Sequence, residues 1–388
     1  MFNLKQYNLR RYNFSLIIIV MVLCILSAYF VKFAGNIDGS GNSYFKRQLI
    51  GAIASLVIAV VISFIDYHYV CAFVGIYYVI GTILVAATRL TPLGTDLETD
   101  SYRWIRLPGV NFQPSEICKI IIILTLAVFF TKFNEDINKF RTIALSFIIM
   151  IIPTFFVLIQ SDLSSSLVII FVFCIMIFAA GLSYKIVIPT LMLSVPAVIA
   201  LFWYIQQPFQ KLLKPYQLER IIGFLHPDEF LDGTNFQQYH SVHSIASGQL
   251  FGKLILDNGT GTREYSWVDV RESDFIFSVI GEEVGFIGVC FVIGLLAIVV
   301  VKCIITARKA NDYLGQLIAI GISAMFAFQT FANIGVAAFI LPNTGLPLPF
   351  LSNGISSMLS CMIGIGIILN IGLQGSNSTH SSINYYDL

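Results

Sequence analysis

Long apolar runs recur along this chain, and each is long enough to cross a membrane as a helix. A bilayer core takes about 20 consecutive apolar residues in helical conformation, and roughly ten such runs are present. Composition agrees, because 57% of the 388 residues are hydrophobic and only 12% are charged. The sequence therefore predicts an all-α polytopic membrane protein with about ten transmembrane helices and excludes a water-soluble fold. The predicted spans are 14–34, 47–66, 69–89, 113–131, 141–159, 163–181, 186–206, 274–302, 313–340 and 351–373.

Basic residues near the span ends predict the orientation. Ten spans place both termini on one side, and Lys and Arg concentrate in cytoplasmic loops. With cytoplasmic termini, the inner segments carry about twice as many basic residues as the short outer ones, so both termini are predicted to be cytoplasmic. The inner residues are Lys5, Arg10, Arg11, Lys132, Lys139, Arg141, Lys185, Lys302, Arg308 and Lys309, and the outer ones are Lys46, Arg47, Arg89, Arg103 and Arg106.

Two long segments, 90–112 and 207–273, lie outside the membrane in this orientation. The second is too long for a simple connector. Within it, apolar residues recur at helical spacing over 235–250, which predicts a helix lying on the outer membrane surface. We treat 1–388 as a single transmembrane domain, with 376–388 as a loose cytoplasmic tail. Function is expected on the outer face.

Charged residues inside apolar spans are costly, so they are usually paired and functional. Glu116 and Lys119 lie three positions apart in the fourth span, where they can form an ion pair facing the bundle interior. Asp162, at the turn between the fifth and sixth spans, is a natural helix N-cap. A helix cap with a packing salt bridge explains the first pair equally well, and capping alone explains Asp162.

Asp274 opens the eighth span at the outer surface, where the helix dipole favours an ionised carboxylate. Glu282 lies about 12 Å further along the helix at 1.5 Å per residue, so the two acids can border one cavity. Capping explains Asp274, but it does not explain Glu282 beside Glu283 in an apolar helix.

Residues 344–354 contain Pro347, Pro349 and Ser352 between the last two spans. Non-helical backbone at membrane depth is tolerated only where protein buries it or a wet cavity adjoins it. The segment is therefore predicted to be a re-entrant or gating turn, and a plain outer loop is the alternative.

Metal and cofactor signals are weak. His240 and His243 are three apart with no third ligand at usable spacing, and the seven cysteines follow no metal-type spacing. Gly-rich phosphate loops are absent, so no organic cofactor is expected.

Several motifs, spread in order over most of the chain, resemble the SEDS family of RodA/FtsW/SpoVE-type proteins of shape, elongation, division and sporulation. The matching elements are Arg103-Trp104-Ile105, Gln113-Pro114-Ser115-Glu116 with Lys119, Asp274-Phe275-Ile276-Phe277 with Gly281-Glu282-Glu283, Gln329-x-x-x-Asn333, and Thr344-Gly345-Leu346-Pro347-Leu348-Pro349-Phe350.

The resemblance implies ten transmembrane helices in the bacterial cytoplasmic membrane and a peptidoglycan glycosyltransferase that polymerises lipid II into glycan strands outside the cytoplasmic membrane. It also implies a class B penicillin-binding protein, a cross-linking transpeptidase, as partner. Asp274 matches the family's catalytic aspartate. The family's Pro-Glu-x-His-Thr-Asp run is replaced here by residues 269–274, where Asp269 or Glu272 can stand in for the lost groups, which indicates a divergent paralogue.

Transfer between two lipid-linked sugars needs a base for the acceptor hydroxyl and positive charge for the departing diphosphate. We expect Asp274 to be the base and a divalent cation (Mg²⁺ or Mn²⁺) or basic side chains to neutralise the diphosphate. The residues expected to bind the diphosphate or to complete its charge network are Arg103, Trp104, Glu116, Lys119, Asp162 and Glu282.

Two other functions fit the same features. Intramembrane charges and a Pro-broken segment also suit a lipid II flippase, and the altered run before Asp274 suits a non-catalytic scaffold that activates its transpeptidase. Arg103, Asp162 and Asp274 are all predicted at the outer edge and not at the midplane, which favours an outward-facing enzyme.

Overall fold

The computed structural model of the protein describes residues 12–95, 102–107, 110–207, 210, 215–225, 233, 235–258 and 261–374. The predicted tail 376–388 and the basic residues Lys5, Arg10 and Arg11 lie outside these residues, as do parts of the two predicted outer loops. The statements below concern the described residues.

Helices make up most of the structure. Eight of them are long and apolar enough to cross a membrane, and two shorter apolar helices, α4 and α7, lie between them. Each predicted span coincides with one of these ten helices, so the chain is a multi-pass membrane protein, while the number of crossings stays a prediction. The helices are α1 (Phe14–Asn36), α2 (Gly41–Ser63), α3 (Tyr67–Ala72), α4 (Val74–Leu90), α5 (Pro114–Lys132), α6 (Phe140–Ile159), α7 (Leu163–Ala179), α8 (Tyr184–Ile205), α9 (Pro215–Leu225), α10 (Phe236–Ser247), α11 (Lys253–Leu256), α12 (Ile276–Lys309), α13 (Tyr313–Ala337) and α14 (Ile355–Leu373).

A small antiparallel sheet precedes α5. The sequence predicted only helices and did not predict this sheet. Its strands are β1 (Gly94–Thr95), β2 (Trp104–Leu107) and β3 (Val110–Phe112), in the order β1-β2-β3. Ile105 pairs with Phe112, so β2 and β3 form a hairpin that leads directly into α5. Pro108-Gly109 favours a turn, and a search for long apolar runs does not detect it. We call the end of the helix bundle that carries this sheet the sheet end.

The packing centre of the bundle is formed by α5, α13 and α14. α5 contacts α4, α7, α13 and α14, while α14 lies along α2 and α12 lies along α13. α8 differs from the other long helices, because Ile205 is its only buried residue. α8 therefore stands at the side of the bundle and leaves one flank open.

α12 is broken near its start. Gly285 has φ 66° and ψ −170°, a conformation that residues with a side chain rarely adopt. A Cβ there would also lie 2.3 Å from the Gly252 backbone nitrogen. Beyond the break, the Phe286 and Ile287 N–H groups donate to the carbonyls of Gln249 and Leu250 at 2.9 and 3.2 Å. The segment after α10 thus closes the gap in the helix.

The predicted surface helix is present as α10, but it buries its polar face. The buried side chains are Gln238, Ser241 and Ser244, while Tyr239 and Val242 are exposed. Gln238 donates to the carbonyls of Val336 and Leu341 at 2.9 and 2.8 Å. The end of α13 has carbonyls without helical partners, and α10 supplies their donors.

A histidine bridges two carboxylates at the end of the bundle opposite the sheet, outside the spans. His68 Nδ1 lies 2.9 Å from Asp66 Oδ1, and His68 Nε2 lies 2.8 Å from Asp312 Oδ2. Partial burial lowers the pKa of His68, but the hydrogen bonds and charges of Asp312 and Asp66 outweigh it and raise the pKa to about 9. Both carboxyl pKa values fall below their usual range, because bonds from His68 outweigh the effect of burial. The cluster ties α3 to the start of α13.

His68→Gln is expected to lower the melting temperature of the purified protein most at pH 6 and least at pH 10. The raised pKa means that the His68 contribution is complete below the unfolded pKa of about 6.5 and disappears as pH rises through about 9. His243→Gln, at an exposed histidine of α10, is the control and should not change the melting temperature. An equal loss at pH 6 and pH 10 for His68→Gln contradicts the assigned charge.

Candidate active site

Asp274 lies at the sheet end, two residues before α12 begins. Its backbone carbonyl accepts a hydrogen bond from Asn333 Nδ2 at 2.7 Å. The Ser273 hydroxyl donates to Asp274 Oδ1 at 3.2 Å. The residue is half-buried, so its carboxylate is held by protein on one side and reachable from the other.

The non-helical segment 338–354 packs against this carboxylate. Gly345 has φ 69°, and a Cβ on it would lie 2.9 Å from Asp274 Oδ2. Leu346, Leu348 and Pro349 are buried, whereas Ile340 is 64% exposed. The later part of the segment is therefore enclosed by protein and is not a plain outer loop. The predicted non-helical turn is confirmed, and it extends a few residues beyond 344–354 because α13 ends at Ala337.

Hydrogen bonds join this segment to the residues around Asp274. Asn333 Nδ2 also donates to the Leu346 carbonyl at 2.7 Å. The Ser352 hydroxyl donates to the Ser273 carbonyl at 2.6 Å, and the Asn353 N–H donates to the Glu272 carbonyl at 2.8 Å. The site residue Ser352 therefore positions the backbone that carries Asp274.

Asp162 connects a second part of the sheet end to the same segment. It caps α7 through a bond from the Ser165 N–H at 3.0 Å, which confirms the N-cap prediction. Its other oxygen accepts bonds from Gln113 Nε2 at 3.1 Å and from the Ser115 hydroxyl at 3.3 Å. Ser164, in the first turn of α7, donates to the Thr344 carbonyl. The starts of α5 and α7 thus both adjoin segment 338–354.

Glu116 and Lys119 form the predicted ion pair inside the bundle. Their charged atoms are 2.8 Å apart, and each side chain is only 2% exposed. The Ser360 hydroxyl of α14 donates to the Glu116 carbonyl at 2.7 Å. The pair therefore joins α5 to α14, and Lys119 has its ammonium directed at Glu116.

Arg103 and Trp104 lie on and beside β2, and both are half-buried. The sheet is fixed to α14 by Ser356, whose hydroxyl donates to the Asn111 carbonyl at 3.1 Å and accepts from the Gln113 N–H at 3.1 Å. Arg103 therefore lies directly before β2, at the same end of the bundle as Asp274.

Glu282 and Glu283 face the segment 253–265. Lys253 Nζ lies 2.6 Å from Glu282 Oε1, and the Tyr265 N–H donates to Glu282 Oε2 at 2.9 Å. Arg263 lies 2.7 Å from Glu283. Glu282 was expected in the charge network of the diphosphate, and in the structure its carboxylate is paired with Lys253. The break at Gly285 makes residues 276–284 a short helix against which the 253–265 segment packs.

Glu272 lies directly beside the catalytic candidate. Burial raises the pKa of its carboxyl above the usual range; the charge of Arg271 opposes this effect, and the charges of Asp38 and Asp274 add to it. Arg271 is buried and lies 2.6 Å from Asp38. Glu272 is therefore the second carboxyl next to Asp274, in the run where the sequence departs from the family pattern.

A metal centre built from side chains alone does not fit this site. Divalent hard cations take six or more oxygen ligands, with several from carboxylates in protein-held sites. Among the described residues, no three His, Cys, Asp or Glu side chains are grouped to hold a metal ion.

The sequence model of the FtsW/RodA/SpoVE family of cell cycle proteins matches residues 7–377. The chain belongs to this family. Two curated relatives, each called a probable peptidoglycan glycosyltransferase FtsW, agree with that placement. The protein from Trichlorobacter lovleyi is 33% identical over 95% of this chain and 94% of its own length, and that from Bacillus subtilis is 30% identical over 94% and 91%.

Solved structures support the same fold for this FtsW/RodA/SpoVE-family chain. A structure described as showing coordination of polymerization and crosslinking by a peptidoglycan synthase complex has 26% identity and a TM-score of 0.75, covering 93% of this chain and 97% of that one. The rod shape determining protein RodA of Thermus thermophilus, at 22% identity, has a TM-score of 0.67 over 95% and 98%.

Three residues that the sequence did not assign to the site have direct contacts there: Asn333, Gly345 and Ser164. Asn333 was visible as a polar amide inside an apolar helix, which is costly unless it is bonded. The contact of Gly345 with Asp274 had no local signal, because it depends on how segment 338–354 folds back.

Asn333→Leu is expected to destabilise the protein by about 1–3 kcal/mol, because the carbonyls of Asp274 and Leu346 lose their donor without gaining water. Hydrogen exchange should rise at the amides of 344–351. Gln329→Met, one turn away on α13, is the control, since Gln329 is a buried amide whose oxygen has no partner among the described residues. Thermal unfolding and exchange that do not distinguish the two variants contradict the role of Asn333.

Proposed function

We propose that this protein is a peptidoglycan glycosyltransferase that polymerises lipid II into glycan strands at the outer face of the bacterial cytoplasmic membrane, with Asp274 as the catalytic base. The observation that carries the proposal is the placement of the Asp274 carboxylate, fixed against Gly345 at the sheet end of an FtsW/RodA/SpoVE-family bundle. Relatives covering nearly the whole chain are named for this activity.

Asp274 accepts the proton of the acceptor sugar hydroxyl as that oxygen attacks the anomeric carbon of the donor. The bond from the anomeric carbon to the diphosphate oxygen breaks, and the diphosphate leaves with its electron pair. General-base assistance requires a carboxylate within hydrogen-bond reach of the hydroxyl. The hydrogen bond from Ser273 orients the Asp274 carboxylate, and Gly345 leaves the space that Asp274 Oδ2 needs because it has no side chain.

Arg103 is the residue we assign to the departing diphosphate. It is half-buried on the hairpin that adjoins the starts of α5 and α14, and a guanidinium binds phosphate oxygens through two parallel hydrogen bonds. Lys119 is not assigned this contact, because its buried ammonium is already bonded to Glu116. Glu116 and Asp162 then act as positioning residues for the start of α5.

The open flank beside α8 suits a substrate anchored in the bilayer. Only Ile205 of α8 is buried, so a polyprenyl chain can lie beside the bundle while its sugars reach the sheet end in water. Cytoplasmic termini place the sheet end outside, because the basic helix ends near Lys132, Lys302 and Lys309 lie at the opposite end.

A class B transpeptidase is the proposed partner. Support comes from the similar chain solved as part of a peptidoglycan synthase complex. A requirement for Mg²⁺ or Mn²⁺ also stays a prediction, in which the cation arrives with the diphosphate. Loss of polymer on adding EDTA, with recovery on adding Mg²⁺ or Mn²⁺, is the expected result.

Purified Asp274→Asn protein is expected to bind labelled lipid II but to polymerise it slower by about a hundredfold or more, since the amide cannot accept the proton. Glu135→Gln removes a carboxylate charge at an exposed position in the turn after α5, far along the chain from Asp274, and should leave the rate unchanged. Polymer at the wild-type rate from Asp274→Asn removes Asp274 from the chemistry.

The same assay separates the rival functions. A scaffold predicts no polymer from the wild-type protein alone and polymer only from its partner, while a flippase predicts transfer of lipid II across vesicles without polymer.

Gly345→Ala is expected to reduce the polymerisation rate by about tenfold to a hundredfold, because the added Cβ meets Asp274 Oδ2 and displaces the base. Gly39→Ala is a matched control. Gly39 has nearly the same φ, 70°, but nothing lies within 4 Å of its added Cβ, so backbone strain is equal and only the Asp274 contact differs. Equal rates for the two variants exclude a role for that contact.

A further inference from the structure

A cavity that two lysines line lies at the end of the bundle opposite Asp274, and the proposed reaction does not use it. It has a volume of about 700 Å³ and is formed by the start of α1, the last turns of α12, the turn that follows and the end of α14. Tyr12, Asn13, Lys302, Lys309 and Asn311 are among its lining residues. We propose that this cavity binds the phosphate headgroup of an anionic phospholipid from the adjacent membrane leaflet.

The charge of the cavity favours an anion. Lys302 and Lys309 are seven positions apart, two helical turns, so they project from the same side of α12. Among the described residues that line the cavity, none has an acidic side chain. Lys302 Nζ donates to the neutral Ser15 hydroxyl at 2.7 Å, and within the described part of the chain neither lysine forms an ion pair. Two cations thus share a cavity that supplies no counter-charge.

A favourable interaction with the helix end explains only one of these lysines. Lys309 lies in the last turn of α12, where a cation complements the carbonyl end of the helix. Lys302 lies two turns earlier, beyond the range of that effect, and is directed across to α1. The preference for basic residues on the cytoplasmic side accounts for lysines at this membrane surface. It does not account for two of them lining one cavity, and a bound anion does.

Apolar surface continues from the cavity along both helices towards the membrane centre. Ile298, Val301 and Ile305 of α12 recur at helical spacing and are 43%, 51% and 42% exposed. Phe14 and Ile18 of α1 are 63% and 56% exposed. A headgroup held by the lysines can place its acyl chains along these faces, whereas a soluble phosphate would gain nothing from them. Basic pockets between transmembrane helices are known to take anionic lipid headgroups.

The site is separate from the proposed polymerisation site. Residues 286–309 of α12 form 24 residues of helix between the break and Lys309, about 36 Å at 1.5 Å per residue. This length equals a membrane thickness, so the two ends lie at opposite surfaces. The inference depends on the proposed orientation only for naming the leaflet as cytoplasmic, and it is independent of the chemistry at Asp274.

The test uses the full-length protein in nanodiscs of phosphatidylcholine that contain a small fraction of photoactivatable phosphatidylglycerol. Cross-linked peptides are mapped by mass spectrometry, and labelling is expected at the start of α1 and the end of α12. The double variant Lys302→Gln/Lys309→Gln should lower this labelling by about tenfold or more. Lys132→Gln, at an exposed lysine at the end of α5 on the same membrane side, should not change it.

Two further measurements test whether the charge of the lysines and the lipid anchor of the ligand are both needed. Lys302→Arg/Lys309→Arg keeps both charges and should retain the labelling, even if the double glutamine variant folds poorly. Excess inorganic phosphate should not displace the lipid. Three results each overturn the proposal. They are equal labelling by a photoactivatable phosphatidylcholine, displacement of the lipid by inorganic phosphate, and absence of labelling because residues 1–11 of the chain fill the cavity.

Discussion

Segment 338–354 places non-helical backbone inside a bundle of apolar helices, and the candidate site depends on how that backbone is hydrogen-bonded. Without water, each unpaired N–H or C=O at membrane depth costs several kcal/mol. Isolated polar side chains on the neighbouring helices supply the partners. The Ser27 hydroxyl donates to the Leu351 carbonyl at 2.7 Å, and Gln48 Nε2 donates to the Ser352 carbonyl at 3.1 Å. Together with Asn333 and Ser164, these residues come from helices α1, α2, α7 and α13.

The need of this backbone for hydrogen-bond partners explains why small polar residues lie on helix faces that hydropathy alone predicts to face the membrane. α10 shows the principle most clearly, since it turns Gln238, Ser241 and Ser244 inward and leaves Tyr239 exposed. In a soluble protein the apolar face would be buried. Here the carbonyls at the end of α13 need donors, and the aromatic residues of α10 can remain at the membrane surface, where such side chains are favourable.

The sequence predicted the long helices well, because a membrane span is determined by a local property, the length of an apolar run. The Asp162 cap and the Glu116–Lys119 ion pair were also predicted, because each joins residues only three positions apart in the sequence. The hairpin of β2 and β3 was missed because its short strands have no long apolar run. The pairing of Glu282 with Lys253 was not predicted, because the two residues are 29 positions apart. The contact between Gly345 and Asp274, 71 positions apart, depends on tertiary packing that no spacing argument contains.

The break at Gly285 divides α12 into a short and a long part. Residues 276–284 are bonded to segment 253–265 through Glu282 and Glu283, and their apolar side chains Ile276, Val279 and Ile280 are buried in the core of the bundle. Segment 253–265 is therefore connected, through this short helix, to the carboxylate that lies two residues before the helix begins. A protein that binds this outer segment contacts residues bonded directly to the helix that follows the candidate base.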